Sequence, residues 1–118
     1  MINTIIFING IYDILCALSI LYFNNIFSYF HINIFKDEYK KNNSMIRFLA
    51  YWILTYGIIR TFVFYNNYYI NLLIIISYLL EIYVFANEEF FYKSTISYKV
   101  YFILITSFII LFIKSFSN

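Results

Sequence analysis

Residues 52–67 read WILTYGIIRTFVFYNN, with Arg60 the single charge in a run that otherwise suits hydrocarbon. The stretch has no proline and only Gly57 to loosen it. How the chain accommodates that arginine decides the fold, because a charge held in an apolar helix must find partners or reach water. The rest of the sequence says which solvent surrounds it. Of 118 residues, 64% are hydrophobic, 25% aromatic and 12% charged, with mean hydropathy +0.77; a soluble domain carries about 25% charged residues. A water-soluble fold of this length buries only about two-thirds of the surface its unfolded chain exposes. The apolar remainder would drive aggregation, so the composition dictates a membrane protein whose first partner is the lipid bilayer.

Other classes fall away on the same grounds. A net charge of +2, scattered along the chain, does not make the clustered basic face that nucleic acid requires. The single cysteine, Cys16, rules out an internal disulfide and a multi-cysteine metal site, and reads as a small buried hydrophobe. Abundant Ile, Asn, Tyr, Phe and Lys with 2 Gly and no Pro is what an AT-biased genome produces, so single aromatics carry little weight. The first thirty residues lack the basic start and small-residue cleavage site of a signal peptide and are expected to persist as a first span.

A helix needs about 20 apolar residues to cross hydrocarbon, and four stretches qualify: 4–23, 45–66, 70–87 and 98–116. Continuous apolar runs without alternation are helices rather than barrel strands. The predicted fold class is therefore all-α, a single membrane domain over residues 1–118 built as a bundle of four transmembrane helices. The polar loop 31–44 joins the first span to the second and the connection 88–97 the third to the fourth, and the segment Asn24 to Phe35 is amphipathic enough to lie along the interface. Asn66 to Tyr69 forms a tight turn. Lys36, Lys40, Lys41, Arg47, Lys93 and Lys99 gather on the side of the first and third loops, against Lys114 on the other. The loops should face the cytosol, with both termini lumenal or external. On this topology the Asn42 sequon stays unglycosylated.

Three ionisable residues fall inside the spans: Asp13, Arg60 and Glu81. Each costs at least ~2.5 kcal/mol at mid-membrane, which favours their facing one another. A rise of ~1.5 Å per residue puts both acids near the midplane and the Arg60 Cα closer to the terminal face, within reach of its long stem. Two arrangements satisfy this: a buried Asp13–Arg60–Glu81 cluster, or an Arg60 that snorkels outward while the acids use neighbours such as Ser19, Tyr56 and Ser77. Thr55, Thr61, Ser77, Gly57 and Ala86 suit close helix contacts. No catalytic or cofactor constellation is legible: the one histidine, His31, reads as an interfacial surface residue, no His/Asp/Glu group has metal spacing, and no glycine-rich phosphate loop is present.

From span two to the end of span three the chain reads RFLAYWILTYGIIRTFVFYNNYYINLLIIISYLLEIYVFANEEFFYKS. Arg47 and Trp52, Arg60 eight residues beyond the tryptophan, the Ser77–Tyr78 pair, and Phe85 with Glu88 together resemble the pattern of the ergosterol biosynthetic protein 28 family over about residues 47–94. Phe48, Leu49 and Ala50 stand where that pattern has Thr-Phe-Gly, Val84 where it has His, and Glu81 where it has a small residue. The resemblance implies a non-enzymatic four-span scaffold of the endoplasmic reticulum that tethers the sterol C-4 demethylation enzymes, a methyl oxidase, a decarboxylase and a 3-keto reductase. It also implies a structural role for the motif residues, and an Arg47–Glu88 pair locking the cytosolic ends of spans two and three is the expected signature. Two other classes remain open: a small structural or envelope-type membrane protein, and a transporter or channel working through Asp13, Arg60 and Glu81.

Overall fold

The computed structural model describes residues 1–23, 31–37, 43–65 and 67–116. Asn42, Lys40, Lys41, Asn66 and residues 24–30 of the expected interfacial segment lie outside the described residues. Four long helices organise what is described: α1 (Ile2–Leu18), α2 (Asn43–Thr61), α3 (Tyr68–Asn87) and α4 (Ser97–Phe116). Two π-helical turns prolong them, Ser19–Phe23 after α1 and Glu88–Tyr92 after α3. Three helical segments, Ile2–Tyr22, Tyr68–Tyr92 and Ser97–Phe116, are long and apolar enough to cross a membrane. The second helix is not among them, since Arg47, Arg60 and a run of Thr, Tyr and Gly dilute its apolar residues.

Several boundaries differ from expectation for local reasons. The second helix stops at Thr61 rather than at residue 66: Phe62, Val63 and Tyr65 donate back only three residues, to Ile59, Arg60 and Phe62, and such i→i−3 bonds mark the tightening of a helix end. Asn67 then opens α3, its side-chain oxygen accepting from the Tyr69 amide at 2.8 Å, as an N-cap does. The third span runs to Tyr92 instead of ending at residue 87, because EEFFY continues it as a π-helical turn closed by Lys93 in the left-handed conformation (φ 54°). Only four residues then remain before α4. Part of the first connection folds inward: the Ile96 amide donates to the Ile34 carbonyl at 2.8 Å and the Lys36 amide to the Ser94 carbonyl at 2.9 Å. An antiparallel bridge, Phe35 with Thr95, joins the two connections.

Contacts run in opposite senses along each neighbouring pair, giving an up-down-up-down bundle. An apolar layer near the chain termini combines Ile6, Val63, Ile74, Tyr78 and Ile110. Toward the loop end, Ala17, Ile53 and Tyr56 pack between α1 and α2, while Ile34 joins Phe85 and Val100. Between these layers sit the charged residues. Outside, Ile8, Leu79, Tyr83, Phe102, Ile105, Phe108 and Phe112 are exposed. Apolar side chains turned outward over such helices fit lipid contact rather than water.

The chain's two glycines meet at one crossing of α1 and α2. A Cβ on Gly10 would lie 2.8 Å from the Gly57 carbonyl oxygen and 3.0 Å from the Arg60 Cβ, and one on Gly57 would lie 3.0 Å from the Asp13 Cβ. Small residues that let backbones touch are a main device of helix association in lipid. Gly10→Ala should therefore lower unfolding free energy by about 1–3 kcal/mol, the range for overpacking. Titration with denaturing detergent from mixed micelles measures it, and a variant as stable as wild type would show that the crossing can open freely.

Candidate functional site

The middle layer is built around the Arg60 guanidinium, fully buried in the bundle. Its Nη1 donates to Asp13 Oδ2 at 3.0 Å and to Asn9 Oδ1 at 3.1 Å, both on α1. On α3, Nη2 donates to Glu81 Oε2 at 2.7 Å and Nε to Ser77 Oγ at 3.2 Å. From α4, the Ser107 hydroxyl donates to the same Glu81 oxygen at 3.2 Å. One side chain on α2 is thus tied to α1 and α3 directly and to α4 through Glu81. The guanidinium also lies against two aromatic faces, 3.7 Å from the Tyr78 ring centre and 4.3 Å from that of Tyr56. Cation–π contact is strongest where water is excluded. Both tyrosine hydroxyls are buried without a partner among the described residues, so these residues serve through their rings.

The helix pattern explains the convergence. Asn9 and Asp13 are four residues apart, as are Ser77 and Glu81, and side chains at that spacing share a face. Arg60 can reach both pairs because the glycine crossing brings α1 and α2 together within one turn of it. Arg60 pairs with both acids rather than snorkelling outward. Of the residues that carry the family resemblance, Arg60, Ser77 and Tyr78 form one contact and Trp52 with Phe85, 6.1 Å between ring centres, another. Both lie on the α2–α3 interface. The expected Arg47–Glu88 pair does not form: Arg47 is exposed and donates to Ser44 at 3.2 Å, whereas Glu88 accepts from Ser94 at 2.9 Å. The π-helical turn carries the Glu88 and Glu89 carboxylates toward the 94–97 segment, where Thr95 and Ser97 donate to Glu89.

His31 differs most from its sequence reading. It is 7% exposed, its ring tilted against that of Tyr12 at 5.7 Å. Its Nε2 lies 3.6 Å from Asp13 Oδ1, beyond hydrogen-bond range. Its Nδ1 is buried with no partner among the described residues. Burial, with the Arg60 charge adding to it, pushes His31 down to about 4. The ring is therefore neutral near pH 7. Beside it opens a cavity of about 570 Å³ lined by α1, α3, α4 and the inward-folded connection. Asn9, Ser107 and His31 joined the site unannounced; the polarity of Asn9 one turn before Asp13, and of Ser107 midway along α4, was the available signal.

Among the described residues no three His, Cys, Asp or Glu side chains come together in a way that could hold a metal ion. Comparison with protein-family models, curated proteins and solved structures finds no match for this chain.

Removing Arg60 would strand two acids in the bundle interior. Arg60→Leu should cost about 3–5 kcal/mol, the range for breaking a buried ion pair by deleting one partner. Adding Asp13→Asn and Glu81→Gln to that variant should recover part of the loss, by roughly 0.5–3 kcal/mol relative to additivity. Arg60→Lys should not substitute, since one ammonium cannot reproduce the planar fork. Unfolding in mixed micelles reads all of these, and strict additivity would mean that the groups do not interact.

Proposed function

We propose that the protein is a non-enzymatic membrane scaffold, a four-span bundle of the endoplasmic reticulum that holds membrane-bound sterol-synthesis enzymes near one another. The observation that carries the reading is the use made of the polar residues inside the bundle. Four hydrogen bonds from Arg60 join helices, and of the residues that resemble the scaffold family Trp52, Arg60, Ser77, Tyr78 and Phe85 lie at a helix interface. A rigid body with an apolar exterior is what a tether requires. On this reading α2 crosses the bilayer as the fourth span because Arg60 is neutralised within the bundle instead of facing lipid.

The loop end supplies a face for partners. The short bridge between residues 35 and 95, with the Ser94–Glu88 bond, makes an ordered cap carrying Lys36, Lys93 and Lys99. That basic side faces the cytosol and both termini face the lumen. A tagged copy purified from its native membrane in mild detergent should carry a sterol methyl oxidase, decarboxylase or 3-keto reductase, identified by mass spectrometry. Recovery of envelope or coat components instead would favour a structural membrane protein. A sequon engineered ahead of Met1 should be glycosylated while Asn42 stays bare; the opposite pattern would invert the topology.

A further inference from the structure

The cavity beside the Arg60 cluster follows α4 from Tyr98 to Ser107, about 14 Å at the helical rise. Its lining divides into three parts. Asn9, Asp13, Glu81 and Ser107 make a polar floor at mid-bundle, contiguous because Arg60 bonds the first three and Ser107 bonds Glu81. Ile34, Phe85 and Ile103 supply apolar walls. Tyr12 on α1 and Phe102 on α4 line the cavity and are exposed, so its mouth opens through the side of the bundle onto the surface that faces lipid.

Two groups on the floor have hydrogen-bonding capacity left over, and they are of opposite kinds. Asn9 accepts from Arg60, and because a guanidinium only donates, the amide oxygen must face it and the NH2 must face away. That NH2 has no acceptor among the described residues. Glu81 receives Arg60 and Ser107 on Oε2, which leaves Oε1 without a donor among the described residues. The orphaned atoms that are sealed from any probe are His31 Nδ1 and the Tyr56 and Tyr78 hydroxyls. Asn9 Nδ2 and Glu81 Oε1 are instead open to the cavity they line, although the Glu81 side chain as a whole is only 10% exposed. One free donor and one free acceptor, anchored on the two terminal nitrogens of the same guanidinium, call for a group that is both at once.

We propose that this cleft binds a slender aliphatic lipid alcohol, its hydroxyl donating to Glu81 Oε1 and accepting from the Asn9 amide, and its chain lying along Ile34, Phe85 and Ile103. A hydroxyl brings one donor together with acceptor lone pairs. An ammonium has no acceptor for the Asn9 amide and a carboxylate has no donor for Glu81, so either would leave a polar group unanswered, which costs more than an ordinary hydrogen bond contributes. Water answers the same two groups but leaves the apolar walls wet. The cavity volume of about 570 Å³ falls within the ordinary range for small-ligand sites, about 300–1,000 Å³, and its elongation along α4 suits a single chain.

The chain carries its own reporter. Its single tryptophan, Trp52, packs 6.1 Å from Phe85, a wall of the cavity. The full chain in phosphatidylcholine nanodiscs should be titrated with dodecanol, dodecyl methyl ether and dodecylamine while Trp52 fluorescence is followed. Dodecanol should give a saturable change. The ether, which lacks the donor, and the ammonium, which lacks the acceptor, should each bind about fivefold more weakly, the scale of one hydrogen bond. Asn9→Asp keeps an oxygen for Arg60 but removes the amide donor, so it should raise dodecylamine above dodecanol, an inversion that a loss of packing would not produce. Thr106→Phe should weaken dodecanol at least fivefold by crowding the cavity. Thr106 lines the cavity, is exposed, and bonds within its own helix, to the Phe102 carbonyl, so this variant should keep the wild-type unfolding midpoint and stays informative if Asn9→Asp does not fold. Equal binding of alcohol and ether, a linear response that marks partition into the bilayer with water alone in the cavity, an Asn9→Asp variant that keeps the wild-type order, or a Thr106→Phe variant that binds dodecanol like wild type would each overturn the proposal.

Discussion

Everything in this bundle depends on a guanidinium kept out of water. An arginine buried among apolar layers is stable only if each donor and the charge itself are answered, and Arg60 is answered by Asn9, Asp13, Ser77 and Glu81 from two neighbouring helices, with Ser107 supporting Glu81 from a third. The planar fork fixes the directions in which those partners must lie. Register between helices follows: a shift of α2 by one turn would move Arg60 about 5.4 Å along the axis and break every one of these bonds. Apolar packing in lipid has no such precision, since hydrocarbon side chains are nearly as well placed against lipid tails as against each other. Specificity comes from the polar layer and close packing from the layers above and below it.

The glycine crossing is the steric half of the same device. Gly10 and Gly57 touch through backbone, and only at that separation does the Arg60 stem leave α2 close enough to Asp13 and Asn9 for direct bonds. The electrostatic and steric requirements meet within one helical turn. Away from it a cavity opens, lined by α1, α3, α4 and the inward-folded connection.

Much of this was legible from the residues. Four helices, the depth match of Asp13 with Glu81, and the reach of Arg60 all follow from apolar run lengths and helical rise. What escaped was whatever depends on a partner distant in sequence. Gly10 looks unremarkable in INTIIFINGIYD until Gly57 is known to face it. His31 reads as an interfacial residue because it follows the first span in an amphipathic segment, yet the connection folds back and buries it beside Asp13. The π-helical turn over Glu88–Tyr92 leaves no clear mark in a run of Glu and aromatics, and it redirects Glu88 from Arg47 to Ser94. Helix ends were misjudged where aromatic and β-branched residues continue past the last regular turn, as at Thr61.

The order of the charges along the chain also bears on how the protein is made. Synthesis delivers an acid on α1, then the arginine on α2, then the second acid on α3. When α2 emerges, its base has a waiting counter-charge in Asp13 and a groove at Gly10 to fit against, so the first two helices can pair before the third is made. Glu81 arrives afterwards, on a helix apolar enough to enter independently, and closes the ring from the far side. The sequence positions of three charged residues therefore encode an assembly path as well as a final arrangement.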